Sequence, residues 1–345
     1  MRGQRLLSLM PDLDPFLVAP APLPPGIRGK PLKASGLRLA PFNPDVLRSL
    51  SPVARRAALD AARVVQPDVV LALGLWAMGM ARRLPGRAPL VLDSSPVESI
   101  TAQESGRSAV LWRLVRLVEV SAVRRADQVW TVSAEDLERV VRIAGIPRER
   151  VRVVPNGVDS VPSLPPPPSG EPFRVLFVGR GSFRPNREAA RFLVREVRPL
   201  LDRDVLLTVV GGARVPAGGG VELVGECDEV APHYVRAAVV CAPILAGTGT
   251  RLKVLEAAAH GRAMVATPRA VEGLGMVPGT HYLEADTPQR FADAIRSLRQ
   301  SPELAAGLAR AAREHVLERF RWERVAACAR QHLGALVSLS PAGSG

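Results

Sequence analysis

The sequence predicts an α/β protein of two Rossmann-like halves, each a doubly wound parallel sheet. Three observations carry that expectation. Short Val-, Leu- and Ile-rich runs alternate with longer helix-forming segments over most of the chain, the pattern of consecutive βαβ units. Gly179, Gly211, Gly225 and Gly247 stand at or soon after the ends of such runs, where open α/β sheets bind their ligands, so these turns are expected to line one cleft. From Val161 to Pro172 the chain reads VPSLPPPPSGEP, a stiff, extended connector between two bodies.

Residues 11–50 are proline-rich and predict irregular chain. Beyond them, helices are expected at 51–65, 75–84, 107–125 and 134–143. Strands are expected at Val69–Leu73, Leu90–Asp93, Gln128–Ser133 and Val151–Val154. After the connector come strand Phe173–Val178, helix Arg187–Leu201, strands Val205–Val210 and Val221–Val224, and a short helix near Val230–Arg236. Strand Val239–Ile244, a helix over 250–261, strands Met264–Thr267 and His281–Ala285, and helices near 287–299 and 301–333 complete the chain. The expected domains are therefore 1–160 and 173–318, joined by the connector 161–172, with a terminal helix in 319–345 packing back toward the first domain. The helix at 107–125 is apolar on most sides, with Arg113, Arg116, Arg124 and Arg125 interleaved. A packed helix with snorkelling arginines is the preferred reading; a peripheral contact with the inner membrane face is the alternative.

With 345 residues and 47% hydrophobic content, two domains can each bury a core. The net charge of +13 is spread: residues 1–165 carry 23 basic and 15 acidic groups, the remainder 23 and 18. Spread arginine with abundant Ala, Gly and Pro is most simply a coding-composition bias and suggests a bacterial source. Aromatic residues are only 4%, without basic–aromatic interleaving, so a nucleic-acid partner is not expected. The apolar run from Val69 to Ala81 is too short to span a bilayer, and MRGQRLLSLMPDLD lacks the apolar stretch of a signal peptide. Cys227, Cys241 and Cys328 have no paired spacing, which fits a reduced cytoplasmic protein without a zinc site. All five histidines lie beyond residue 232, so a histidine base from the first half is excluded. Asp12-Leu13-Asp14 and Asp202-Arg203-Asp204 read as turns rather than metal motifs.

The most informative stretch is Leu245 to Gly261, LAGTGTRLKVLEAAAHG. A strand, a glycine-rich turn and a helix start form an anion-binding device: glycine lets backbone N–H groups approach a phosphate, and the helix dipole favours it. Thr250, Lys253, Glu256 and His260 recur every three to four residues and share a helix face. Such a cation meets a diphosphate, and such a carboxylate accepts hydrogen bonds from sugar hydroxyls. A plain surface ion pair is the competing reading. Against it stands the composition, 43 Arg to 3 Lys, with Lys253 the only Lys after Lys33; a merely solvated face would be expected to carry Arg.

An ordered series of motifs surrounds this helix. Phe177-Val178-Gly179 with Pro185-Asn186, Val209-Val210-Gly211, and Val224-Gly225 with Asp228 and Tyr234 precede it. Thr267-Pro268, Glu272-Gly273-Leu274 and Phe320-Arg321-Trp322 follow, and Glu119, Ala126-Asp127, Val132-Ser133 and Pro155-Asn156-Gly157-Val158-Asp159 stand in the first half. The series, over roughly residues 65–330, resembles the GT-B glycosyltransferases, more narrowly the GT4 family of retaining, nucleotide-sugar-dependent enzymes. The resemblance implies two Rossmann-like domains facing across a cleft and a catalytic set of Arg251, Lys253 and Glu256. Arg251 and Lys253 would meet the diphosphate. Glu256, second in the family's Glu-x7-Glu pattern, would hold the ribose. Gly247, Thr248, Gly249, Thr250 and Leu252 would hold phosphate and donor sugar. Gly179, Arg180, Gly181, Ser182 and Gly211 would approach the donor from neighbouring strands, and Gly225 and Glu226 would pass near the base. Asp93, Ser94, Ser95 and Glu98 align with the acceptor side.

The resemblance further implies a front-face transfer with retention from a GDP- or UDP-sugar to a small-molecule or glycan acceptor. No metal is implied, and no cofactor besides the nucleotide sugar. The sequence departs from the family pattern at Thr248, where the first Glu would stand, at Ser95 and Pro96, where a His and an Asp are common, and at its start, which lacks a glycine-rich loop. Those departures keep a second reading open, a non-catalytic nucleotide-sugar-binding subunit, and the charge keeps a third, a basic membrane-surface or nucleic-acid binder. Oligomeric state stays open.

Overall fold

The computed structural model describes residues 2–10, 16–20, 28–32, 52–81, 88–95, 97–104, 106–162, 172–249 and 252–339. They form two compact units, Met1–Pro155 with Trp322–Gly345, and Asn156–Arg321. The division falls a few residues before the expected end of the first domain. Residues 163–171 of the connector lie outside the described residues.

The first unit begins with α1 (Arg2–Ser8), β1 (Phe16–Pro20), β2 (Arg28–Leu32) and α2 (Pro52–Val65). β1 and β2 form a separate parallel pair within the stretch expected to be irregular. β3 (Val70–Leu73), α3 (Met78–Ala81), β4 (Leu90–Asp93), α4 (Glu98–Glu104), α5 (Ala109–Arg125), β5 (Gln128–Thr131), α6 (Ala134–Ala144) and β6 (Val151–Val153) follow. β3, β4, β5 and β6 pair in that order, all parallel. Alternate side chains of these strands enter two cores, as strand geometry requires. Leu92, Val129 and Val151 face Val123 and Val140 of α5 and α6. Val91, Trp130 and Val154 face Leu6 of α1 and residues of the C-terminal helix. Ser133 caps α6 by accepting from the Asp136 N–H at 3.1 Å, and Gly145 ends it in the left-handed conformation, a common helix stop.

The second unit contains β7 (Phe173–Val178), α7 (Arg184–Phe192), β8 (Val205–Val210), β9 (Val221–Val224), α8 (Ala231–Arg236), β10 (Val239–Ala242) and α9 (Leu252–Ala259). β11 (Ala263–Ala266), β12 (Leu283–Glu284), α10 (Pro288–Gln300) and α11 (Pro302–Arg319) complete it. Its six parallel strands are ordered β12-β11-β10-β7-β8-β9. The order reverses between β7 and β10, which is where sheets of this kind take a ligand, outside the carboxyl ends of the strands. Asp202 and Asp204 are both held by Arg299 of α10, in keeping with a structural turn; Asp12-Leu13-Asp14 lies outside the described residues.

The helix expected over 301–333 is interrupted. α11 ends at Arg319, and α12 (Trp322–Leu339) begins in the first unit. At the break, Phe320 is buried and its carbonyl accepts from the Val158 N–H at 2.8 Å. The crossing between units, which no local periodicity reports, sets the break. Among the described residues no helix is long and apolar enough to cross a membrane.

Both chain ends thus complete the first unit. Arg2 donates through Nε to Asp93 Oδ2 at 2.9 Å and to the carbonyls of Val154 at 2.6 Å and Pro155 at 2.7 Å. It ties α1 across the carboxyl ends of β4 and β6. Asp93 is buried, and its second oxygen, Oδ1, has no hydrogen-bond partner among the described residues. Removing the guanidinium leaves a buried carboxylate without a counter-charge, so Arg2→Ala is expected to destabilise the chain by about 2–4 kcal/mol in denaturant unfolding. The added change Asp93→Asn should recover part of that loss; equal stability of Arg2→Ala and wild type would contradict the assignment.

Candidate functional site

The reversal point of the second sheet is built from the turns after β7, β8 and β10. Gly179 follows β7, and its N–H donates to the Val210 carbonyl at 2.9 Å. Two residues on, the Gly181 N–H donates to the Gly211 carbonyl at 2.6 Å. A Cβ on Gly181 would lie 2.4 Å from the Gly212 carbonyl oxygen, and one on Gly211 2.4 Å from that of Gly179. Glycine is required there by backbone packing. Asn186 and Arg187 at the start of α7 fasten the same turn. Asn186 Nδ2 donates to the Arg180 carbonyl at 3.2 Å, and Arg187 donates to the carbonyls of Gly181 and Ser182 at 3.2 and 2.8 Å. Arg180 and Ser182 themselves are exposed. After β9, Gly225 and Glu226 are exposed, with the Glu226 side chain close to Gly212.

Lys253, on the first turn of α9, reaches this group. Its side chain is buried, its Nζ donates to Asn186 Oδ1 at 2.7 Å, and it lies over the Phe177 ring at 4.4 Å from the centroid. A Cβ on Gly179 would stand 3.0 Å from that Nζ and 2.8 Å from Asn186 Cγ. Asn186 therefore joins the lysine to the turn after β7, a cation held against an aromatic face and an amide oxygen. The Gly-rich turn before α9 carries φ of +96° at Gly247 and +83° at Gly249, with Thr248 buried between them. Thr250 and Arg251 lie outside the described residues, and Leu252 opens α9 with an exposed side chain.

One turn beyond Lys253, Glu256 meets a buried aromatic pair. The Tyr234 hydroxyl of α8 donates to Glu256 Oε2 at 2.9 Å. His260 stacks on the Tyr234 ring, centroids 4.7 Å apart, and its Nδ1 lies 2.7 Å from the Glu256 carbonyl oxygen. Arg262 anchors α8 from below through the carbonyls of Tyr234 and Val235, at 2.8 and 2.9 Å. Burial raises the Glu256 pKa, opposed by the Tyr234 hydroxyl and then the Lys253 charge. Burial likewise raises Tyr234 and lowers His260, so the tyrosine serves as a donor, and the histidine favours its neutral form. The sequence spacing had put Lys253, Glu256 and His260 on one face; the structure pairs Lys253 with Asn186 and sets both Glu256 and His260 against Tyr234.

The residues expected on the acceptor side lie together in the first unit. Asp93 ends β4, Ser94 and Ser95 follow it, and Glu98 opens α4. Asp93 is occupied by Arg2, and Ser94 is buried, its N–H donating to the Trp130 carbonyl at 2.8 Å. Glu119 of α5, fully buried, accepts from the N–H groups of Glu98 at 2.7 Å and Ser99 at 3.2 Å and from the Ser99 hydroxyl. It caps α4 from a distant point in sequence, which is why α4 escaped sequence reading. Among the described residues, no group of three or more His, Cys, Asp or Glu is placed to hold a metal ion, and Cys227, Cys241 and Cys328 are free thiols.

Residues 172–301 match the family described as Glycosyl transferases group 1, and residues 14–161 match Glycosyltransferase Family 4. The chain belongs to the group 1 glycosyltransferases of the GT-B fold. Glycogen synthase from Mycobacterium tuberculosis is 26% identical over an alignment of 268 residues that covers 69% of this chain; the chain spans 63% of that relative's length. Sucrose-phosphate synthase from Thermosynechococcus elongatus superposes with a TM-score of 0.76 at 20% identity, covering 93% of this chain and 86% of that one. Anabaena HepE in complex with UDP-glucose gives 0.69 at 18% identity over 91% and 86%. Within this group 1 glycosyltransferase, Asn186 and Tyr234 are the site neighbours to which sequence reasoning gave no role. Both stand in its ordered motifs, and only the fold reveals what they touch.

Glu98 supplies a pH signature for the first unit. Burial, and then the charge of Glu119, push its pKa from 4.5 up to about 7, with Arg107 opposing. A carboxyl group raised in this way is held more readily protonated in the folded chain, so its contribution to stability is full below about 4.5 and is lost as pH rises through about 7. Glu98→Gln removes the penalty. Because the side chain is only partly buried, the variant should gain about 1–2 kcal/mol at about pH 8 and nothing at about pH 4. Denaturant unfolding at both pH values checks this, and an equal gain at both would contradict it.

Proposed function

We propose that this chain transfers a glycosyl group from a nucleoside diphosphate sugar, with UDP or GDP as leaving group, to a hydroxyl-bearing small molecule or glycan. The transfer retains anomeric configuration and uses no metal ion. The observation that carries the reading is the placement of a buried ammonium, Lys253, at the strand-order reversal, one helical turn from the Glu256 carboxylate. Family membership supports it, and the UDP-glucose complex of HepE favours UDP.

In this reading Lys253 and Arg251 neutralise the diphosphate. Glu256 accepts hydrogen bonds from ribose hydroxyls through the oxygen that Tyr234 does not occupy. The N–H groups of 247–249, with Thr250 and Leu252, receive phosphate and donor sugar. Gly179, Arg180, Gly181, Ser182 and Gly211 border the donor, and Gly225 and Glu226 the base. Ser95 and Glu98 of the first unit orient the acceptor, while the buried Asp93, held by Arg2, and Ser94 fix the end of β4. The bond from the anomeric carbon to the diphosphate oxygen breaks, and a bond to the acceptor oxygen forms on the same face. The acceptor proton passes to the departing diphosphate. Charge grows on that diphosphate in the transition state, where a preorganised cation acts most strongly.

Lys253→Ala should lower turnover by about 100-fold or more, for a lost contact of about 3 kcal/mol. Steady-state kinetics with the donor that most raises the melting temperature, chosen from a panel of UDP- and GDP-sugars, provides the measurement. Near-normal turnover would remove the diphosphate role. Absence of both transfer and donor hydrolysis in a chain that still binds nucleotide would leave only a binding subunit.

Tyr234→Phe removes a hydrogen bond to Glu256 and keeps the stack on His260. The Glu256 pKa rises further, so the donor KM should increase about tenfold, more at lower pH, with kcat within about threefold. A fall in kcat with unchanged KM would contradict ribose binding by Glu256.

A further inference from the structure

α5 (Ala109–Arg125) turns an apolar face to solvent. Val110 is 78% exposed, Leu114 53% and Leu117 69%, with Val118 beside them. Their spacing, i, i+4, i+7 and i+8, places all four on one side of the helix. Isolated exposed aliphatic side chains are ordinary; a contiguous stripe on one helix is the mark of a contact surface. The opposite side of α5 is the packed one. Glu119, Ala122 and Val123 are buried there, and Ala122 and Val123 join the core of the first unit.

The charge on this helix has one sign. Arg113, Arg116, Arg124 and Arg125 are exposed, and the only acidic residue of α5, Glu119, is fully buried as the cap of α4. Burial raises the Glu119 pKa, which further reduces its opposition to the arginines. On the neighbouring α6, Asp136 and Glu138 are already paired with Arg139 and Arg148. Arg107 extends the basic border just before the helix.

We propose that the outer face of α5 docks on the surface of an anionic lipid bilayer, with Val110, Leu114, Leu117 and Val118 entering the headgroup boundary and the arginines meeting lipid phosphates. An apolar stripe on a helix whose own exposed charges are all cations is the pattern of helices that lie in the interface, and each exposed arginine gains from the negative surface potential; the exposed carboxylates nearby, Glu104 and Glu135, stand on the neighbouring helices. A two-fold dimer through the same face would set arginines against arginines, with no exposed carboxylate on the helix to receive them. Nucleic acid would match the charge and leave the aliphatic stripe uncovered.

Flotation of the full chain with vesicles tests the proposal. Vesicles of equal parts phosphatidylcholine and phosphatidylglycerol should carry the chain at low salt, and pure phosphatidylcholine should not. Leu114→Glu with Leu117→Glu should abolish binding while leaving the melting temperature unchanged, because both side chains are exposed in the folded chain. Arg113→Ser with Arg116→Ser should weaken it by about 30-fold, and added salt should weaken the wild type as well. No binding by the wild type to anionic vesicles at low salt would overturn the proposal. So would binding that survives the double glutamate change, or a dimer in solution that the same change dissociates without any vesicle binding.

Discussion

A methyl group on Gly181 would meet the Gly212 carbonyl, and one on Gly211 the Gly179 carbonyl, both at 2.4 Å. The turns after β7 and β8 touch backbone to backbone, and side chains of ordinary size would force them apart. That contact sets the height at which the chain leaves β7 and enters α7. It therefore sets the position of Asn186, and through Asn186 the position of the Lys253 ammonium. The six-stranded parallel sheet supplies the reversal point; the glycine contact decides what stands at it. The position of the Lys253 ammonium thus depends on a packing constraint several residues away.

Much of this was legible in the sequence. The strands at 173–178, 205–210, 221–224 and 90–93 coincide with their expected bounds; for the interior ones this is because runs of buried apolar residues in a parallel sheet are continuous, whereas 221–224 is an edge strand with Glu222 and Leu223 exposed. The Gly247–Gly261 segment was legible for a different reason: positive φ at Gly247 and Gly249, and a lone lysine among arginines, leave compositional traces. What stayed hidden depends on partners remote in sequence. α4 starts where Glu119 caps it, twenty residues on. Helical periodicity ran through 320–322, and only the expected domain bounds, with a terminal helix in 319–345 returning to the first domain, anticipated the crossing there. The paired β1 and β2 segments fall in proline-rich sequence that local propensity reads as irregular. Asn186 and Tyr234 were visible as motif members, yet their partners lie 67 and 22 residues away.

α5 shows the same limit from the other side. Its apolar residues occur around most of its circumference, and the sequence favoured a packed helix with snorkelling arginines. In the fold one side of α5 enters the core with α6, and Val110, Leu114 and Leu117 stay exposed on the other. A helix that is apolar all round normally has two neighbours to satisfy. This one has the sheet on one side and, among the described residues, open exposure on the other.

The choice of lysine at 253 follows from the shape of its recess. The ammonium is bounded by the Phe177 ring, the Asn186 amide oxygen and the Cα of Gly179, where even a Cβ would lie 3.0 Å from Nζ. A guanidinium is planar and wider, with donors spread over a fork. At this position its second nitrogen would press on the turn after β7 or tilt off the ring, and either shift would move the charge away from the reversal point. The compositional pressure that made nearly every other cation of this chain an arginine stops here because a point charge fits and a fork does not. The same recess explains why Gly179 carries no side chain, so the lysine and the glycine are one requirement seen from two strands.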